Sequence, residues 1–126
     1  MTGPRDDPTI LDSDELWRRI HPKWWVADHN RGANRLSSAA FELPRDGTGI
    51  SVELAALRET RAQALDGYDG YGLASIQAQV PRLLDLGIVR QPQAGNPAHA
   101  EIVGDVTRRK QRSMAGAATM LVIPVL

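Results

Sequence analysis

The chain of 126 residues has no cysteine. That absence removes disulfides, thiolate nucleophiles and the sulfur-based zinc frameworks, and it makes a reducing cytoplasm the expected compartment. Aromatic residues are scarce, with one phenylalanine, two tyrosines and three tryptophans, so the position of each ring carries weight. Neither sign of charge is in excess, because 15 lysines and arginines balance 15 aspartates and glutamates. A polyelectrolyte is excluded, and any argument for nucleic acid must rest on a local patch. Long apolar runs are missing too: residues 121–126 are apolar but far short of the roughly 20 that a spanning helix needs, so no membrane is expected. The chain opens on Gly3, Pro4, Asp6 and Asp7 rather than on a basic then apolar stretch, so no targeting segment is expected there.

What is present is ordinary for a globular domain, 42% apolar and 24% charged. A chain of this length supports one core. Residues 1–11 show no periodic apolar face and are expected to form a loosely ordered arm, leaving 12–126 as a single domain. Asp12 and Glu15 have capping-box spacing ahead of Leu16, Trp17 and Ile20, which predicts a short helix ended by Pro22; a strand over 16–20 competes with it. Residues 36–43 read as a strand with Phe41 as core anchor, forming a hairpin with a strand over 50–54. Thr60 and Gln63 predict a capped helix over 61–65. The glycine-rich run 67–72 follows a helical stretch and precedes a strand, the reverse of a dinucleotide-binding loop, and reads as a connector. A strand over 71–78, a helical turn from Pro81 to a cap at Gly87 and a strand over 88–90 follow. Next come a strand through His99, a helix capped by Asp105 and a terminal strand over 120–125. The expected class is α+β, a single small domain with a mixed sheet of short strands and three to four short helices.

Three groups of residues carry candidate chemistry. His99 and Glu101 fall on one face of a strand, where a histidine beside a carboxylate can act as a general base. Arg18 and Arg19, and Arg108, Arg109 and Arg112 on the last helix, are candidate phosphate binders. Residues 21–35 interleave Trp24 and Trp25 with Lys23, Arg31 and Arg35. That pattern serves either as a core and interface anchor or as a stacking platform for bases. His21, His29 and His99 have no metal-ligand spacing, so no metal and no cofactor are expected. Ser51 follows Gly49 and Ile50 without the second glycine of a nucleophile elbow, so hydrolase chemistry of that kind is not predicted.

The segments LWRRIHP at 16–22, LSSAAF at 36–41, Ser51-Val52 and NPAHA at 96–100 together resemble short bacterial proteins of unassigned function. The early arginines, the Ser37-Ser38 pair and the small α+β size also resemble ADP-ribosyltransferase-like domains, without a matching catalytic acid. The leading functional expectation is a small bacterial binding or accessory protein that contacts a protein partner of a multi-protein system through Trp24 and Trp25. A second expectation is an enzyme acting on a nucleotide or other phosphorylated ligand, with His99 as base. A third is RNA or DNA binding through the basic helix at 108–112.

Overall fold

The structure is a computed structural model that describes residues 3–30, 32–45 and 47–125. Its central strand, β1 (Glu15–Ile20), occupies the segment expected to be a helix. Leu16 and Ile20 are four apart, a spacing shared by helix and strand, so that pair could not discriminate between them. Pairing decides: β1 lies antiparallel to a neighbour at every residue, from Glu15↔Gln77 to Ile20↔Gly72. Leu16 and Ile20 are then buried on one face and Trp17 on the other. Asp12, instead of capping a helix, accepts a hydrogen bond from Arg82 Nη1 at 2.8 Å.

Beyond β1 the elements are a 3-10 turn (Pro22–Trp24), β2 (Trp25–Asp28), β3 (Ala33–Leu36), a 3-10 turn (Ser38–Phe41) and β4 (Ile50–Leu54). A 3-10 turn (Ala55–Leu57), α1 (Arg61–Ala64), β5 (Gly72–Gln77), α2 (Gln79–Leu83) and β6 (Gly87–Arg90) come next. The chain continues through β7 (His99–Val103), α3 (Arg108–Ala117) and β8 (Thr119–Val122). Six strands form one sheet in the order β6-β7-β4-β1-β5-β8, and β2 and β3 form a separate ribbon. Every strand pairing among the described residues is antiparallel, and with three α-helices among them this is an α+β domain. No helix among the described residues is long and apolar enough to cross a membrane.

The expected strand over 36–43 is divided. Leu36 ends β3, and the Ser37 hydroxyl accepts from Ala39 N–H, closing a 3-10 turn that buries Ala40 and Phe41. A serine hydroxyl in that role offers the backbone an alternative to a ladder. Phe41 is fully buried as the expected anchor, but there is no hairpin with β4, which pairs with β1 and β7 instead. Thr60 caps α1 as its spacing predicts, with Gln63 N–H donating to Thr60 Oγ1 at 3.0 Å. α3 starts later than expected and is capped by Thr107, not Asp105. At the end of α2, Asp85 takes the left-handed conformation at φ 62°. Gly87 is not a cap: it opens β6, where a Cβ would collide with the Arg5 carbonyl.

One face of the sheet carries Leu16, Ile20, Ile50, Val52, Leu54, Ala74, Ile76, Ile88, Ala100 and Ile102 against Phe41, Leu86, Met114 and Ile10. Ile10 belongs to the N-terminal segment, which runs along β6: Asp7 N–H donates to Ile88 O at 2.7 Å, and Ile88 N–H to Asp6 Oδ1 at 2.9 Å. The opposite face carries a smaller apolar cluster of Trp17, Ala64 and Leu73, with Ala55, Leu65, Leu121 and Val122 packed against it, beside the polar residues of β4 and β7. That sparsely covered face carries most of the unusual chemistry.

Candidate functional site

β1 and β4 are neighbours in the middle of the sheet, yet they pair only at Leu16↔Leu54 and Trp17↔Glu53. β1 continues to pair with β5 as far as Ile20, and β4 with β7 from Ile50. The two central strands therefore part beyond Trp17, and the residues at the parting are Arg18 and Arg19 on one side and Ser51 and Val52 on the other. Arg18 bridges the gap. Its Nη1 donates to Ser51 O at 2.8 Å and its Nε to Ala40 O at 2.9 Å. A side chain thus supplies a donor to a carbonyl that lacks its ladder partner. The guanidinium carbon lies 5.3 Å from the Trp24 ring centroid, within range of a cation–π contact. Burial, and then the charge of Arg19, push its pKa down to about 10, which leaves it charged at neutral pH. Arg18 Nη2 makes no hydrogen bond among the described residues.

Arg19, one residue on, points to the other face. Its Nε donates to Ala64 O at 2.7 Å, its Nη2 to Glu53 Oε1 at 2.9 Å, and its guanidinium stacks over Tyr68 at 4.1 Å. Glu53 is 1% exposed and also accepts from Arg58 and from Asn96 Nδ2. Two guanidinium groups on one buried carboxylate leave the cluster with a net positive charge, and burial makes that charge act at closer to full strength. A chain of rings closes the rim: Tyr68 to Tyr71 at 5.3 Å, Tyr71 to His21 at 5.2 Å and His21 to Trp24 at 6.1 Å. The His21 ring also accepts from Lys23 N–H, fixing the turn that presents Lys23 and Trp24.

Two openings meet at the parting, sharing Arg18, Trp24 and Ser51. The wider, about 410 Å³, adds Lys23, Arg45 and Glu42, so three cations face one carboxylate. The narrower, about 150 Å³, adds Trp17, Arg19, Glu53, Tyr68 and Tyr71. Among the described residues, the Trp17 indole N–H is the one buried side-chain polar atom without a partner. Buried donors are nearly always satisfied in folded proteins.

His99, at the start of β7, is 8% exposed. Its Nδ1 lies 2.8 Å from Gln91 O and its Nε2 lies 3.3 Å from Ser51 Oγ. Because a carbonyl can only accept, Nδ1 carries the proton and Nε2 presents a lone pair to the serine hydroxyl. Glu101 lies on the same face, opposite Ser51 in the β4–β7 register. It makes no hydrogen bond with His99; the imidazole is oriented by a main-chain carbonyl instead of a carboxylate.

The predicted arginines separate into two groups. Arg18 and Arg19 meet at the parting. Arg108, Arg109 and Arg112 are exposed on α3. Arg112 joins Trp25, Arg35 and Met120 around a third groove of about 480 Å³ between α3 and the β2–β3 ribbon. That groove is larger, but Arg35 is half exposed and sits 3.7 Å from Asp28, and Arg112 is solvated. Trp24 and Trp25 are each half-buried, walling different clefts. Arg31 lies outside the described residues. Arg45, Tyr68, Tyr71 and the company of Ser51 carry no signal in the sequence, whereas Lys23 stands in the aromatic and basic run at 21–35. The tyrosines sat in a run read as a connector, and the Ser51–His99 contact spans 48 residues. No group of three or more metal-ligating side chains occurs among the described residues. Compared with protein-family models, with curated proteins and with solved structures, the chain matches none.

Proposed function

We propose that this chain binds a small anionic ligand carrying a flat ring, of the nucleotide class, in the cleft where β1 and β4 part. The observation that carries this reading is the Arg18 guanidinium, held by two main-chain carbonyls against Trp24 with Nη2 unclaimed. A cation fixed in advance loses little conformational freedom on binding. Lys23 and Arg45 add charge at the mouth, and the rings of Trp24 and Tyr71 offer faces for stacking. A protein partner docking on Trp24 and Trp25 is the weaker reading, because the two rings are half-buried against the core and belong to separate clefts.

Thermal shift against a panel of nucleoside monophosphates, pyrophosphate and ribose 5-phosphate tests the proposal. A ligand present at about 100 times its Kd stabilises the fold by about 2.7 kcal/mol. Nucleotides are expected to raise Tm more than pyrophosphate does, and the exposed pair Lys23→Ala with Arg45→Ala is expected to abolish the shift without lowering the Tm of the free protein. A panel in which no anion raises Tm, or in which the double variant responds like the parent, refutes the cleft as an anion site.

A further inference from the structure

Ser51 is the one residue that belongs to both openings of the parting and also touches His99. It is exposed, whereas the imidazole behind it is buried. The three parts of an activated nucleophile are in sequence: a hydroxyl, a ring nitrogen free to accept its proton at 3.3 Å, and a fixed acceptor, Gln91 O at 2.8 Å, that holds the ring tautomer and orientation. Catalytic hydrogen bonds of this kind are often long in the absence of substrate. Resting on the cleft as an anion site, we propose that Ser51 is a nucleophile activated by His99 and that the chain hydrolyses carboxylic esters borne by an anionic ligand.

The geometry supplies a place for each part of such a substrate. Lys23 and Arg45 take the anion at the mouth, and the recess beside Ser51, walled by Trp17, Tyr68 and Tyr71 together with Arg19 and Glu53, takes the rest of the ligand. Arg18 is bonded to the Ser51 carbonyl itself. Arg19 is committed to Ala64 O and Glu53, so it is Arg18, bonded to the Ser51 main chain, that brings positive charge near the carbon under attack, where oxyanion charge develops. In the first step the Ser51 Oγ–acyl bond forms and the ester C–O bond breaks. The hydroxyl proton passes to His99 Nε2 and from there to the leaving oxygen, releasing an alcohol. In the second step water attacks the acyl-serine, its proton passes through the same nitrogen to Ser51 Oγ, and the carboxylic acid leaves. No metal or redox partner is required by this balance.

The test uses the intact chain with a fluorophosphonate, whose phosphorus electrophile reports on an activated serine, followed by intact-mass and peptide mapping. One adduct is expected, on Ser51 and not on Ser13, Ser37, Ser38, Ser75 or Ser113, and it should vanish in urea and in Ser51→Ala. His99→Gln is expected to slow labelling about a hundredfold; should that variant fail to fold, the urea-sensitive selectivity for Ser51 still decides. Hydrolysis of mono-4-nitrophenyl succinate is expected to exceed that of 4-nitrophenyl acetate, with the preference lost in the Lys23→Ala, Arg45→Ala double variant. No adduct, or equal labelling of the unfolded chain, overturns the nucleophile. If pyrophosphate or a nucleotide still raises Tm in that case, the anion site stands and only the chemistry falls. An adduct on Ser51 without any anion effect overturns the anion site and leaves the nucleophile.

Discussion

Glu53 is the residue on which the polar face of the sheet depends. Its carboxylate is shared by Arg19, Arg58 and Asn96 in a setting with almost no access to water. Removing it leaves two guanidinium groups near each other without their counter-ion, so Glu53→Ala is expected to destabilise the fold by about 3–5 kcal/mol in urea denaturation. Glu53→Gln keeps the shape and one acceptor and should lose less; equal stability of the parent and both variants would show the cluster to be energetically idle. Arg18 is different in kind, because it answers two main-chain carbonyls instead of a carboxylate. Replacing it with Met preserves much of the stem packing on Trp24 but leaves Ser51 O and Ala40 O without their donor. Arg18→Met is expected to cost about 1–3 kcal/mol by the same measurement.

Elements explain which parts of this fold could be read in advance. β5, β6, β7 and the Thr60 cap of α1 are local signals, a short apolar run or a hydroxyl three residues ahead of its acceptor, and each appears close to where the sequence places it. β1 and the Ser38–Phe41 turn differ from the sequence expectation because their state depends on partners remote in sequence: Leu16 pairs with Ile76 and Leu54, and Phe41 buries against the sheet. The site follows the same division. Arg18, Arg19, Trp24 and His99 stand out as residue types, but the parting of β1 from β4 and the approach of Ser51 to His99 are products of strand pairing. The N-terminal segment adds a testable element. Residues 5–7 press so closely on β6 that Gly87→Ala should expel them, lowering Tm and opening the segment to limited proteolysis; an unchanged digestion pattern would contradict this.

The same segment gives the fold an acid-sensitive contact. The Asp7 carboxyl is held below the usual carboxylate range first by the Thr9 hydroxyl, then by Thr9 N–H and the charge of Arg90. A depressed pKa means that the native state favours the anion. The contribution is complete above the ordinary value of 3.8 and is lost as pH falls below it through the folded value. In Asp7→Asn the acid limb of the stability curve below that value should be shallower than in the parent. Coincident limbs would show that the contact contributes nothing to folding.

At the scale of the whole molecule, two faces of one antiparallel sheet divide the labour. One is sealed by Phe41, Met114, Leu86 and Ile10 and carries the core. The other is left with a buried ion cluster, an indole N–H without a partner among the described residues and a gap between its two central strands. Sheet interiors are normally fully paired, since unmatched main-chain groups are unfavourable away from water. A parting bridged by an arginine is the kind of local exception found at functional sites. The most direct check on this account is amide and indole chemical-shift mapping of the chain with uridine 5′-monophosphate. The largest shifts are expected on Arg18, Lys23, Trp24, Ser51 and the Trp24 indole. Shifts confined to the Trp25 and Arg112 groove, or none at all at millimolar ligand, would contradict it.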